Sequence, residues 1–101
     1  MTAVKEAEAS PSWQAEVIVL PKEGVNDPEG EAIFEGLHAL GHVAVRQVRA
    51  GRVLYLIVHA TDEESARTSV GHMCDQLLAN PVIESYQISV APAVSAPKAN
   101  V

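Results

Sequence analysis

The sequence predicts an α+β domain of β-α-β-β-α-β order, a ferredoxin-like antiparallel sheet with two helices on one face that assembles as a dimer or higher homo-oligomer. Three observations carry this. Short β-branched runs alternate with two amphipathic stretches that open on helix-capping residues. The chain has 101 residues, 48% of them hydrophobic, which is enough for one small core. Two of the strands are apolar on both faces, more than two helices can cover.

The first strand is Glu16-Val17-Ile18-Val19-Leu20, β-branched and stopped by Pro21. Asp27-Pro28-Glu29 then supplies an N-cap, a proline at the first helical position and an acid in the first turn. Ile33, Leu37 and Leu40 follow at helical spacing, so the first helix runs over 28–40 up to Gly41. Val43 to Arg49 and Val53 to Ala60 read as the second and third strands. Ala50-Gly51-Arg52 lies between them, where glycine can take the positive φ of a tight hairpin. Thr61-Asp62-Glu63-Glu64 fits a capping box, with Thr61 as the N-cap, and Ala66, Val70, Met73 and Leu77 form one stripe of the second helix. Asn80-Pro81 ends it. Val82 to Val90 is the last strand, with Val82, Tyr86, Ile88 and Val90 on one face and Glu84 as the polar exception.

The ends read differently. Residues 1–13 form an N-terminal arm and 92–101 an Ala/Pro-rich tail, neither with the apolar surface to order itself. A single domain spans 14–91.

Thirteen acidic residues against seven Lys and Arg give a net charge of −6, which argues against nucleic acid and anionic membrane surfaces as partners. One cysteine excludes an internal disulfide, no signal segment opens the chain, and no apolar run reaches the roughly 20 residues of a membrane span. A cytoplasmic protein is expected.

In the third strand Val53, Tyr55 and Ile57 point one way and Leu54, Leu56 and Val58 the other. Either the strand is a central one buried in its own core, or a second protein surface covers it. Leu54, Leu56 and Val58 are the candidate interface residues. Arg46, Arg49 and Arg52 make a basic rim around the hairpin that steers an acidic partner surface or is a solvated tip.

Catalytic chemistry has little support. His38, His42, His59 and His72 lack the paired spacing of a metal site, and Cys74 sits mid-helix without a nucleophile elbow or oxyanion donors. The stretch 21–30 joins a strand to a helix N-terminus but is neither a Walker A sequence nor a dinucleotide fingerprint, and Asp27 and Glu29 already occupy the positive end of the helix dipole. No catalytic, cofactor-binding or metal-binding residue is assigned.

Several segments together resemble the PurS family, the small subunit of phosphoribosylformylglycinamidine synthase: Val17-Ile18-Val19-Leu20, the stretch Gly24 to Gly30 with Ala32-Ile33, Leu40-Gly41, Val48 to Arg52, and above all the run from Met73 to Tyr86. The resemblance covers residues 15–90. It implies a non-catalytic adaptor in purine biosynthesis that brings a PurL-type synthetase subunit and a PurQ-type glutaminase subunit together for ATP- and glutamine-dependent amidation. It also implies that ATP and Mg²⁺ sit on the large partner subunit, with no cofactor in this chain, and that the chain forms a dimer or tetramer. The alternative is an ACT-like regulatory domain, which shares the element order and binds small molecules at the turn after the first strand.

Overall fold

The computed structural model describes residues 11–93. The expected arm and tail fall largely outside these residues, but the folded part reaches into both: β1 spans Ser12–Pro21 and the last strand runs to Pro92. Helix α1 is Pro28–Ala39, β2 is Arg52–His59, α2 is Glu63–Met73, and β3 is Glu84–Pro92.

The strands form one antiparallel sheet of order β2-β1-β3, with Val17 opposite Leu54 on one side and Ile88 on the other. Alternation decides the faces. Ala15, Val17 and Val19 are fully buried beneath Val70 and Cys74, while Leu54, Leu56, Val58, Tyr86, Ile88 and Val90 flank them on the same side. This is the core, and α2 is its lid.

The α+β class, the antiparallel pairing and the two helices agree with the sequence. Among the described residues, however, the sheet has three strands. The segment 43–49, expected as the second strand, has no ladder and no regular structure beyond a turn at its start. A strand exists only by pairing, and none of the three sheet strands comes alongside this one. The Ala50-Gly51-Arg52 hairpin is correspondingly absent, and Gly51 does not take a positive φ. Its lack of a side chain serves another purpose: a Cβ there would collide with the Val19 carbonyl oxygen and sit 2.8 Å from Leu20 Cδ2. Only glycine lets the chain enter β2 this close to β1.

Asp62, not Thr61, caps α2, accepting from the Ser65 amide at 2.8 Å. Thr61 Oγ1 instead reaches Ser65 Oγ at 3.3 Å. Both residue types cap well, so the sequence fixes the helix start only to within one position. The C-terminal end widens into a π turn over Cys74–Leu78, closed by the Ala79 amide donating to the Cys74 carbonyl at 3.0 Å. That wider turn keeps Cys74 and Ala79 buried and turns Leu77 outward, 83% exposed.

Helix α1 is capped as expected, by Asp27 accepting from the Gly30 amide at 3.1 Å. Yet none of its side chains enters the core, and its only buried residue is Gly30.

Candidate interface surfaces

The three arginines of the expected basic rim have three different fates. Arg52, at the start of β2, reaches across the end of β1 to β3. Its Nη1 donates to Glu84 Oε2 at 2.9 Å, and its Nη2 donates to Glu84 Oε1 at 3.2 Å and to the Leu78 carbonyl at 2.6 Å. The Asn80 amide donates to the same carboxylate at 2.7 Å. Glu84, which breaks the apolar stripe of the last strand, is therefore the anchor of a polar clasp over the sheet end. The arginine and the Asn80 amide hold its carboxyl below the usual glutamate range, and Arg52 is raised in return. Arg49 Nη2 donates to the Pro21 carbonyl. Lys22 Nζ similarly donates to the Pro81 carbonyl at 2.7 Å. Arg46 alone of the three arginines is exposed with no hydrogen-bond or ion-pair partner among the described residues.

Sequence could not show this, because Pro21, Leu78 and Glu84 are brought to Arg49 and Arg52 only by sheet formation. The same holds for Asp27. Besides capping α1, its Oδ2 accepts from the Ala50 amide at 2.9 Å, tying the helix start to the approach of β2. The Ala50 and Gly30 amides pull its carboxyl below the usual aspartate range.

The candidate interface residues Leu54, Leu56 and Val58 lie on the core side of β2, half-buried beside Val17 and its neighbours. Val53, Tyr55 and Ile57 take the other side and are 50%, 51% and 60% exposed. With Ile18 of β1 beside Val53 they form an apolar strip on the face away from α2. The two-sided pattern of this strand was visible in the sequence; which side α2 would take was not.

A cleft of about 430 Å³ opens between the β1–α1 loop, α1 and residues 46–49. This is where a small-molecule regulatory module would hold its ligand. Glu23, Asp27, Glu31 and Glu35 line it against Lys22, Arg46 and Arg49, and two of those three cations already serve backbone carbonyls. Such a lining disfavours a carboxylate ligand.

Cys74 is fully buried, and burial pushes its thiol up, away from nucleophilic character. His38 Nε2 bonds the Val45 carbonyl at 2.8 Å and its ring packs on Phe34, 4.2 Å between centroids, so it braces the end of α1. Among the described residues no group of three His, Cys, Asp or Glu could hold a metal ion, and no helix is long and apolar enough to cross a membrane.

Residues 14–92 match the family model of PurS, phosphoribosylformylglycinamidine (FGAM) synthase. The chain belongs to the PurS family. Its relatives include the PurS subunit of FGAM synthase from Archaeoglobus fulgidus, 43% identical over 74 residues that cover 73% of this chain and 92% of the relative. The Bacillus subtilis PurS subunit is 36% identical over 83 residues, covering 82% and 98%. Among solved structures, Methanocaldococcus jannaschii PurS superposes with a TM-score of 0.70 at 38% identity, over 79% of this chain and 96% of that one. That protein is described as a subunit of formylglycinamide ribonucleotide amidotransferase in the purine biosynthetic pathway. A chain of the Thermotoga maritima PurLQS structure gives 0.73 at 32% identity, over 80% and 99%. PurS is thus a subunit of a ligase of purine biosynthesis, and this chain has the PurS fold along nearly the full length of its relatives.

Proposed function

We propose that this chain is the non-catalytic adaptor of an FGAM synthase complex. It forms a homo-oligomer, a dimer or tetramer, and docks a PurL-type synthetase and a PurQ-type glutaminase so that ammonia passes between their sites. ATP and Mg²⁺ are held by the synthetase subunit, and the complex works in the cytoplasm. The observation that carries the reading is the apolar strip of Val53, Tyr55 and Ile57 on the sheet face that α2 leaves bare, in a chain whose relative is a member of a PurLQS assembly. Leaving several such side chains in water forfeits about 25 cal/mol per Å², so a protein surface is their natural cover.

The test is reconstitution of the two enzyme subunits with and without this chain. Glutamine-dependent turnover should require it, whereas turnover with added ammonia should depend on it far less. Ile57→Asp, which puts charge on the bare face and leaves the core side intact, should lower glutamine-dependent turnover by roughly tenfold or more, the equivalent of 1.4 kcal/mol of docking energy. Unchanged glutamine-dependent turnover without this chain would overturn the adaptor role.

A further inference from the structure

The sheet face away from α2 carries a carboxylate in its middle. Glu16 of β1 points there by alternation, since Ala15 and Val17 on either side of it are fully buried in the core. The register sets Glu16 directly between Tyr55 of β2 and Ser89 of β3, and makes Val53 and Ile57 its diagonal neighbours. It is half-buried, and among the described residues its carboxylate makes no ion pair or hydrogen bond. The other outward positions of the three strands hold glutamine, serine and aliphatic residues, and His59 at the end of β2 shares a hydrogen bond with Ser12. Among the described residues no Lys or Arg stands on this face of the strands. Lys22, just beyond β1, lies roughly 20 Å of extended chain from Glu16 and donates to the Pro81 carbonyl.

We propose that Glu16 is the ionic anchor of the docking face: the enzyme-subunit surface that covers Val53, Tyr55 and Ile57 is apolar and sets one lysine or arginine against this carboxylate. This deepens the adaptor reading and rests on it. Covering the face strips water from Glu16, and a carboxylate taken out of water is strongly destabilising unless a cation meets it. A second copy of the chain laid face to face would bring two carboxylates under cover with no Lys or Arg for either. The occupant of this face is therefore a different protein. Tyr55 adds to the fit, because an ammonium or guanidinium that reaches Glu16 also comes beside an aromatic ring, whose face attracts cations. The net charge of −6 steers a basic spot on that partner towards this chain.

Docking is read as the concentration of full chain that half-restores glutamine-dependent turnover to mixed synthetase and glutaminase subunits. Glu16→Gln, which keeps the shape of the side chain, should raise that concentration roughly 30-fold or more, and Glu16→Lys should raise it further. Raising salt from about 0.05 to 0.5 M should weaken docking of the unaltered chain more than docking of Glu16→Gln. If Glu16→Gln docked as well as the unaltered chain or better while Ile57→Asp was still disruptive, the anchor would be overturned and the adaptor reading would stand. A Glu16→Lys variant no worse than Glu16→Gln would also overturn it, since a neutral group would then face the carboxylate. If Ile57→Asp had no effect, this face would not be the docking face. Turnover that needed no chain at all would remove the anchor and the adaptor reading together.

Discussion

Val70 on α2 and Leu40 at the end of α1 are both apolar residues of amphipathic helices, yet Val70 is fully buried and Leu40 is 77% exposed. The contrast extends to everything around them. Behind α2 lie Ala15, Val17 and Val19, so its stripe closes a core, and Arg67 ties it further to the Ile88 carbonyl at 2.9 Å. Behind α1 lies no sheet. That helix is held through its first turn, where Asp27 joins the Gly30 and Ala50 amides, and at its end by His38 on the Val45 carbonyl. One half of the molecule is stabilised by burial and the other by a few hydrogen bonds. Burial-held and hydrogen-bond-held regions differ in how readily they open locally, so the α1 half should open at lower free energy than the α2 half.

The largest expected effect comes from the junction of the two halves. Gly51→Ala drives a methyl group into the Val19 backbone, which no rotamer change relieves. A loss of about 3 kcal/mol, the upper range for overpacking, should appear as a drop in urea midpoint. A stability loss below a few tenths of a kcal/mol would show that residues 49–51 are free to move away from β1, and the junction would then be no boundary at all.

The halves were unequally legible for the same reason they are unequally stable. Around α2, local pattern and tertiary packing largely agree: the Ala66–Val70 spacing and the strand alternation survive, while the last strand starts at Glu84 instead of Val82 and the π turn takes Leu77 off the stripe. Around α1 the helix itself was readable from Asp27-Pro28 and from its stripe. The fate of 43–49 was not, because alternation marks a segment able to pair and says nothing about whether a partner strand lies in the same chain. The clasp of Arg52 on Glu84, 32 positions apart, left only a trace in the sequence: a carboxylate in an otherwise apolar stripe.

Next in size is a paired truncation. Val70→Ala opens a cavity under α2 and should cost about 2 kcal/mol, a fall in Tm of roughly 10 °C, whatever the protein concentration. Leu40→Ala removes an exposed side chain and should leave the stability of the dilute chain within about 0.5 kcal/mol of the original. On the proposed homo-oligomer, it should lower the Tm at high concentration, since binding of a second copy adds to folded-state stability by mass action. Equal, concentration-independent losses for the two would erase the distinction between the helices.

The smallest expected effect is on pH dependence, and it separates the halves by their carboxylates. Asp27 and Glu84 are both held below their ordinary ranges, the first by the Ala50 and Gly30 amides, the second by Arg52 and the Asn80 amide. A carboxylate depressed in the folded state adds stability above its unfolded pKa, about 3.9 for Asp and 4.3 for Glu, and that contribution is lost as pH falls through the folded value. Acidification below about pH 4 should therefore loosen both ends. Asp27→Asn should remove this acid sensitivity from the exchange of the Gly30 and Ala50 amides and leave the Tm nearly unchanged. Glu84→Gln should flatten the acid limb of the Tm profile itself, because its clasp joins β2, β3 and the π turn of the packed half. If Asp27→Asn flattened the global profile as much as Glu84→Gln, the α1 clamp would belong to the cooperative core, and the two halves would melt as one unit.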